Sequence, residues 1–256
     1  MRNLITLMTD FGSKDHYAGV MKGVILGINP NARIVDITHE IEKFNIFEAA
    51  FKLISYYTYF PRGTVHVVVV DPGVGGPRRP IAAEAGGHFF AGPDNGVFSP
   101  VLDSVDNPRV VEITNAAYML GNVSGTFHGR DIFAPAAAHL SSGAGIYDLG
   151  TDAPMPVSLH VPEPSINGNE ISGVVLYEDS FGNLITNIPA EIVRPDSTVY
   201  AGRHGIDRIS GSYGEAVKGE LLAIIGSAGL LEISVNQGSA KDFLGTKRVS
   251  VRVVTD

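Results

Sequence analysis

The run Val65-His-Val-Val-Val-Val ends in Asp71-Pro-Gly-Val-Gly-Gly-Pro-Arg-Arg. Four consecutive valines suit a strand covered on both faces, and in an open α/β sheet ligands bind beyond the carboxyl ends of such strands. Asp71 falls at that edge. The glycines at 73, 75 and 76 let the backbone approach a ligand, while Arg78 and Arg79 return positive charge to the carboxylate. As plain structure the same stretch would be a tight turn with an exposed ion pair.

Other stretches concentrate polar groups in the same way. Thr9-Asp10-Phe11-Gly12-Ser13-Lys14-Asp15-His16-Tyr17 places two acids between a strand and a helix. Asp10, at a strand's end, is placed to accept the hydroxyls of a ribose, whereas Ser13 or Asp15 could instead cap the helix. No G-x-G-x-x-G follows this strand, so the usual dinucleotide cradle is missing. In Gly125-Thr-Phe-His-Gly-Arg-Asp-Ile-Phe, His128 is the best acid/base candidate among the eight histidines. Its structural alternative is a satisfied hydrogen-bonder, with Asp131 capping a helix and Arg130 paired to a nearby acid. Tyr177-Glu-Asp-Ser-Phe-Gly-Asn-Leu-Ile-Thr-Asn sets an acid, a ring and a carboxamide around a turn, which suits a purine or, equally, a hairpin with a buried ring. Gly226-Ser-Ala-Gly offers amides and a hydroxyl to a carboxylate, or is a glycine turn between strands.

The elements that must carry these groups follow from periodicity. Leu4–Thr9, Arg33–Thr38 and Val65–Val70 read as strands, with Asp10, Asp36 and Asp71 at or near their carboxyl ends. Helical spacing occurs over 17–28 and again at Ile46, Ala49, Ala50, Leu53, Ile54 and Tyr57. Further strands are expected at Ile81–Glu84, His88–Ala91 and Val110–Ile113, and a helix near Asp131, since Pro135 is tolerated only close to a helix start. This alternation predicts an N-terminal α/β domain with a mostly parallel, Rossmann-like sheet over residues 1–160. Val161-Pro-Glu-Pro-Ser-Ile-Asn-Gly-Asn reads as a linker, 161–169. Beyond it, over 170–256, the short runs Gly173–Tyr177, Leu221–Ile225, Leu231–Val235 and Val249–Val254 predict a smaller C-terminal β-barrel.

Composition narrows the function classes. At 256 residues, 44% hydrophobic and 18% charged, the chain is globular, and it buries roughly three quarters of its unfolded surface. It has no cysteine, which removes disulfides, thiolate nucleophiles and cysteine-ligated metals. A net charge of −8 makes nucleic acid an unexpected partner. The N-terminal apolar stretch is too short for a signal-peptide core and reads as a first strand, and no run reaches the ~20 apolar residues of a membrane span. A soluble, cytoplasmic protein without membrane contact is expected.

Taken in order, Thr9-Asp-Phe-Gly with Asp15, Asp36-Ile-Thr-His, Val70-Asp-Pro-Gly-Val-Gly with Arg78, Gly92-Pro-Asp-Asn-Gly, Thr126-Phe-His-Gly-Arg-Asp, Phe181-Gly-Asn and Gly226-Ser resemble the S-adenosyl-L-methionine (SAM) hydroxide adenosyltransferase family, related to fluorinase and chlorinase. The likeness spans nearly the whole chain. It implies an α/β domain, a C-terminal β-barrel and a homotrimer whose sites form where one subunit's first domain meets a neighbour's second. It also implies hydrolysis of SAM, as substrate and with no cofactor, to adenosine and L-methionine. The family's water-activating trio maps onto Asp71, Arg78 and His128. Asp10 maps to the ribose hydroxyls, Phe44 and Phe127 to ribose or base, and Phe181 with Asn183 to adenine. Asp15, Asp179 and Ser227 match positions that hold the amino and carboxylate ends of methionine. The chain departs from the family where Gly76-Pro77 replaces a small-polar and acidic pair, and the Asp179 turn is one residue shorter than in fluorinase.

The chemistry is consistent with that mapping. A sulfonium is already a good leaving group, so the enzyme must chiefly position a water in line with the breaking bond. Water is far too weak an acid to ionise near neutral pH and no zinc motif is available to make it stronger, so side chains must do the task without metal. Asp71 would accept from the water, Arg78 would keep Asp71 ionised, and neutral His128 would share or remove a second proton. Three rivals remain: a SAM-dependent halogenase, disfavoured because a carboxylate repels halide; a non-catalytic SAM or adenosine sensor, which needs no such trio; and, from the acids alone, a metal-dependent phosphoesterase.

Overall fold

The computed structural model describes residues 3–255. The chain divides into two compact units, the first ending at Leu159 and the second beginning at His160.

The first unit runs β1 (Leu4–Thr9), α1 (Tyr17–Ile28), β2 (Arg33–Thr38), α2 (Ile46–Tyr56), β3 (Val65–Val69), β4 (Pro80–Ala85), β5 (His88–Pro93), α3 (Ser99–Asp103), β6 (Arg109–Ile113), α4 (Ala134–Ser141) and β7 (Gly150–Asp152). Its seven-stranded sheet has the order β2-β1-β3-β5-β4-β6-β7. The first four of these strands lie parallel, and from β5 onward every pairing is antiparallel. The sheet is therefore less parallel than expected. The reason is local: β4 and β5 are joined only by Gly86-Gly87, and a two-residue connection can link only antiparallel neighbours.

The valine run is the centre of this unit. Val65, Val67 and Val69 pack with Met21 and Ile25 of α1 and with Phe133 and Ala137, while Val68 and Val70 pack with Ala50 and Leu53 of α2 and with Phe98 and Leu102. Each buried valine contributes roughly 1.5–3 kcal/mol. Asp71 is thus mounted on a strand clamped from both faces. The helix expected near Asp131 begins as a π-helical turn, Gly129–Phe133, that continues into α4 with Pro135 in its first turn.

The second unit runs β8 (Ser165–Asn167), β9 (Glu170–Glu178), β10 (Leu184–Pro189), β11 (Thr198–Ala201), β12 (His204–Ile206), β13 (Ile209–Ser210), β14 (Leu221–Ile225), β15 (Leu230–Val235), α5 (Ala240–Leu244) and β16 (Ser250–Val254). They form a nine-stranded sheet curled nearly into a barrel, in the order β12-β11-β16-β9-β10-β15-β14-β13 with β8 on β9. The long strand β9 serves both halves. Its residues 170–174 pair with β16, and its far end pairs with β10. Leu184, Ile188, Val199, Leu231, Ile233, Val251 and Val253 fill the interior. Within the stretch read as a linker, Ser165–Asn167 pairs with β9, and the Pro162 carbonyl accepts from Asn187 Nδ2. Among the described residues no helix is long and apolar enough to cross a membrane.

Candidate active site

Loops at the carboxyl ends of β1 and β3 enclose a cavity of about 420 Å³ lined by Asp10, Asp15, Phe44, Asp71, Phe127 and His128, among others. Residues far apart in sequence meet there because parallel neighbours end at the same sheet edge.

Asp71 and Arg78 form a buried pair, their side chains only 6% and 10% exposed, which sets aside the surface ion pair considered above. Arg78 Nε donates to both carboxylate oxygens of Asp71, at 3.0 and 3.1 Å. Its Nη2 serves two partners, Asp71 Oδ2 and His128 Nδ1, the latter at 2.6 Å. Arg78 Nη1 is buried with no partner among the described residues. A guanidinium only donates, so the imidazole accepts through Nδ1 and its neutral form carries its proton on Nε2. Burial first, and the adjacent Arg78 second, hold the His128 pKa below the ordinary histidine value, while Asp71, Asp131 and the Ser124 backbone oppose that shift. The ring is therefore neutral near pH 7, with its lone pair already engaged. A proton-accepting role for His128, as anticipated from sequence, would require releasing Arg78.

The supporting loops are locked together. Asn95 Nδ2 donates to the Val70 carbonyl, one residue before Asp71. Gly75 lies against the backbone of Gly125, so the turn carrying Arg78 and the loop carrying His128 touch main chain to main chain.

Asp10 is 7% exposed, and its Oδ2 accepts from the Phe44 amide at 3.0 Å. Lys43 Nζ donates to the Asp10 carbonyl at 2.6 Å. Phe44 adopts φ 65° and is 65% exposed. A left-handed phenylalanine is costly, and such outliers concentrate at functional positions. The Asp10 carboxylate holds this one, presenting the ring at the cavity. Asp15 is exposed beside it; neither it nor Ser13 caps α1, whose N-cap is His16 without a side-chain bond. Phe127 packs edge to face with Phe11 and Tyr17, at centroid separations of 5.7 and 5.2 Å.

Other charged residues of the same motifs turn out to be structural. Asp36 pairs with Lys22 and His39 and is not part of the cavity lining. Arg79 binds Asp94, whose other oxygen accepts from the Val157 amide. Asp131 accepts from Ser124 N and Oγ and from Arg130, so it closes the loop ahead of the π turn instead of capping a helix.

In the second unit Asp179, Phe181, Asn183 and Ser227 line a separate cavity of about 670 Å³. Asp179 Oδ1 accepts from the amides of Phe181 and Asn183, and Oδ2 from Asn183 Nδ2. This ties the turn so that Phe181 projects outward, 76% exposed, where a plain hairpin would have buried it. Tyr213, Glu232 and Gln237 line the same cavity, and the sequence motifs did not single them out. Among the described residues no group of three His, Cys, Asp or Glu side chains is arranged to hold a metal ion.

Comparison with known proteins adds an independent line. Residues 5–150 match the family model of the SAM hydroxide adenosyltransferase N-terminal domain, and residues 173–251 that of the C-terminal domain. The chain is 38% identical to the (R)-S-adenosyl-L-methionine hydrolase of Thermus thermophilus, covering 95% of this chain and 96% of the relative. It is 35% identical to that of Salinispora tropica, covering 94% and 93%. A fluorinase from an Actinoplanes species is more distant, at 27% over 72% of this chain and 71% of the relative. The crystal structure of an uncharacterized conserved protein from Thermotoga maritima superposes with a TM-score of 0.91 at 39% identity, covering 98% of this chain and 100% of that one.

Proposed function

The chain belongs to the SAM hydroxide adenosyltransferase family, and on that premise we propose that it hydrolyses SAM, in the (R) configuration at sulfur that its relatives' names specify, to adenosine and L-methionine. The observation that carries this reading is Arg78, whose guanidinium joins Asp71 and His128 at the cavity.

In this mechanism a water oxygen bonds to the ribose 5′ carbon as the C5′–S bond breaks, and the electron pair of that bond leaves on sulfur as the neutral thioether of methionine. One water proton departs and the other stays as the 5′-hydroxyl. A single acceptor is enough, and of the three cavity carboxylates, Asp10, Asp15 and Asp71, it is Asp71 that Arg78 grips. Arg78 holds that carboxylate in a fixed orientation through Nε and Nη2. His128 braces Arg78 from the opposite side. Asp10 receives the ribose hydroxyls, Phe44 and Phe127 flank ribose or base, and Asp15 takes the α-ammonium. Phe181 and Asn183 take adenine, with Asp179 and Ser227 toward the methionine end.

A metal-independent reaction is part of the proposal, because the sulfonium departs without Lewis-acid help and developing charge is lost, not gained, at the leaving atom. So is a homotrimer in which second-unit residues come from a neighbouring subunit. A cytoplasmic location is part of the same proposal.

The decisive experiment is chromatography of separated (R) and (S) sulfonium epimers of SAM incubated with the protein, chelator and chloride, alongside Asp71→Ala. Adenosine and methionine from the (R) epimer, absent with the variant, are expected. Chlorinated adenosine would assign a halogenase, and intact SAM retained by the protein would assign a sensor. Light scattering during gel filtration reads the trimer directly.

A further inference from the structure

The motif Asp36-Ile-Thr-His39 does not reach the cavity, and no step of the reaction above uses it. It converges instead on the strand end that carries Asp10. Leu7 of β1 pairs with Asp36 of β2, but Met8 pairs with Thr38, so β2 holds one extra residue, Ile37. A bulge of this kind re-aims the side chains that follow it, and here it brings His39 level with Thr9.

Thr9 is fully buried, and its Oγ1 lies 2.9 Å from His39 Nδ1. The same oxygen accepts from the Phe11 amide at 3.2 Å, a bond that spans Asp10. His39 Nε2 is buried 3.1 Å from Asp36 Oδ1, though not aligned for a hydrogen bond, and Lys22 Nζ donates to the other oxygen of that carboxylate at 2.5 Å. The anion beside Nε2 favours the ring proton there, so Nδ1 accepts and the Thr9 hydroxyl donates. The main chain repeats the tie. The Gly12 amide donates to the His39 carbonyl at 2.6 Å, and the Ile41 amide to the Thr9 carbonyl at 3.3 Å. Asp10 is thus held through both neighbours, Thr9 before it by His39 and Phe11 after it by Thr9. A buried polar chain in which each member has a partner fixes one geometry where an apolar contact would allow several.

We propose, resting on the place of Asp10 at the ribose in the hydrolase reading above, that His39 is a positioning residue for the nucleoside: through the Thr9 hydroxyl it sets the direction of the Asp10 carboxylate, and Asp36 steadies the imidazole from behind. Thr9, His39 and Asp36 are absent from the cavity lining, so each acts only through Asp10. The effect extends one step further, because Asp10 Oδ2 holds the Phe44 amide.

The test is calorimetric titration with adenosine and with 2′,3′-dideoxyadenosine, which lacks both hydroxyls that Asp10 receives. Thr9→Val keeps the shape of the side chain and removes the link, and His39→Ala removes its other end. Each is expected to lose about tenfold in affinity for adenosine, the order of one hydrogen bond to a charged group, with the dideoxy ligand bound as by wild type. Thr9→Ser and His39→Asn, which restore a hydroxyl and an acceptor, should recover most of the loss. KM for SAM should rise in the first two variants with kcat changed less. Equal losses for the two nucleosides would mean a merely structural network and would overturn the proposal, as would wild-type affinities in Thr9→Val and His39→Ala. Should neither of these fold, Asp36→Ala decides, since that side chain is 41% exposed; a selective loss for adenosine supports the proposal, and an equal loss or none overturns it. Equal wild-type affinities for the two nucleosides would also overturn it, because Asp10 would then read no hydroxyl. These titrations need no turnover, so a wild type that prefers adenosine yet leaves SAM intact would defeat the hydrolase reading separately.

Discussion

Arg78 Nη2 lies 2.6 Å from His128 Nδ1, and the direction of that bond is fixed because a guanidinium can only donate. The imidazole is therefore a strut for the arginine. Asp71 is gripped from the other side of the same fork, so three side chains from two loops act as one rigid group.

If His128 braces and does not take a proton, an amide oxygen in place of Nδ1 should serve. His128→Asn is expected to stay within about tenfold of wild-type kcat, and His128→Ala to lose about a hundredfold, within the range general for such groups. Steady-state kinetics with both variants reads this directly. Equal losses in the two would return His128 to the role of base.

The pH profile has a defined sign. Burial and Arg78 lower the His128 pKa, so the ring stays neutral through its ordinary value and is protonated only below it. Rates should be level from pH 8 through about 6.5, the reference value for histidine, and fall at lower pH as a second cation forms beside Arg78. In His128→Asn the component of the acid limb that belongs to this ring should vanish.

The adjacent arginines should separate cleanly. Arg78 touches the proposed catalytic pair, whereas Arg79 binds Asp94 and the carbonyls of Pro154 and Met155. Arg78→Lys is expected to lower kcat about a hundredfold or more, because an ammonium cannot reproduce the fork. Arg79→Ala should lower the melting temperature and leave kcat nearly unchanged. Thermal melts run beside the kinetics distinguish the two.

A histidine remote from the site should govern acid stability. His66 is fully buried, with Thr6 Oγ1 2.8 Å from Nδ1 and His88 Nδ1 3.2 Å from Nε2, and burial, then His88, push its pKa down to about 3. The unfolded chain binds a proton here near pH 6.5 and the folded chain does not, so stability falls as pH drops from 6.5 toward 3, by up to ~1.4 kcal/mol per pH unit. Urea denaturation at pH 7, 5.5 and 4.5 should show that loss, and His66→Asn should make it shallower.

The valine run and the short apolar stretches of β1 and β2 let their strands be read nearly to the residue, and the continuous run of β3 reflects packing on both its faces. The antiparallel half of the first sheet was less visible because its cause is a short connection, Gly86-Gly87, and not a pattern within the strands. Of the site, the Asp71, Arg78 and His128 side chains were legible as motifs. The division of labour between Arg78 and Arg79 was not, because identical neighbours in sequence part company only through tertiary partners. Glu232 was hidden for a related reason: strand alternation marks it as outward, and only Tyr213, nineteen residues away, buries it.

The two catalytic loops meet where Gly75 packs on the backbone of Gly125. Gly75 has φ +74°, and a Cβ there would stand 2.0 Å from the Gly125 carbonyl oxygen. Backbone cannot swing aside as a side-chain tip does, so Gly75→Ala must push apart the turn that carries Arg78 and the loop that carries His128. Strain at such positions costs of order 1–3 kcal/mol, which lowers the melting temperature by several degrees. The larger effect should be on rate, since a displacement of about 1 Å can cost a hundredfold in a positioned reaction. Affinity for adenosine should fall less than kcat, because Asp10 and Phe44 sit on other loops and only Phe127 shares the displaced one. Melting, kcat and adenosine titration together decide it, and an alanine variant with wild-type kcat would show that the contact between Gly75 and Gly125 does not set the catalytic geometry.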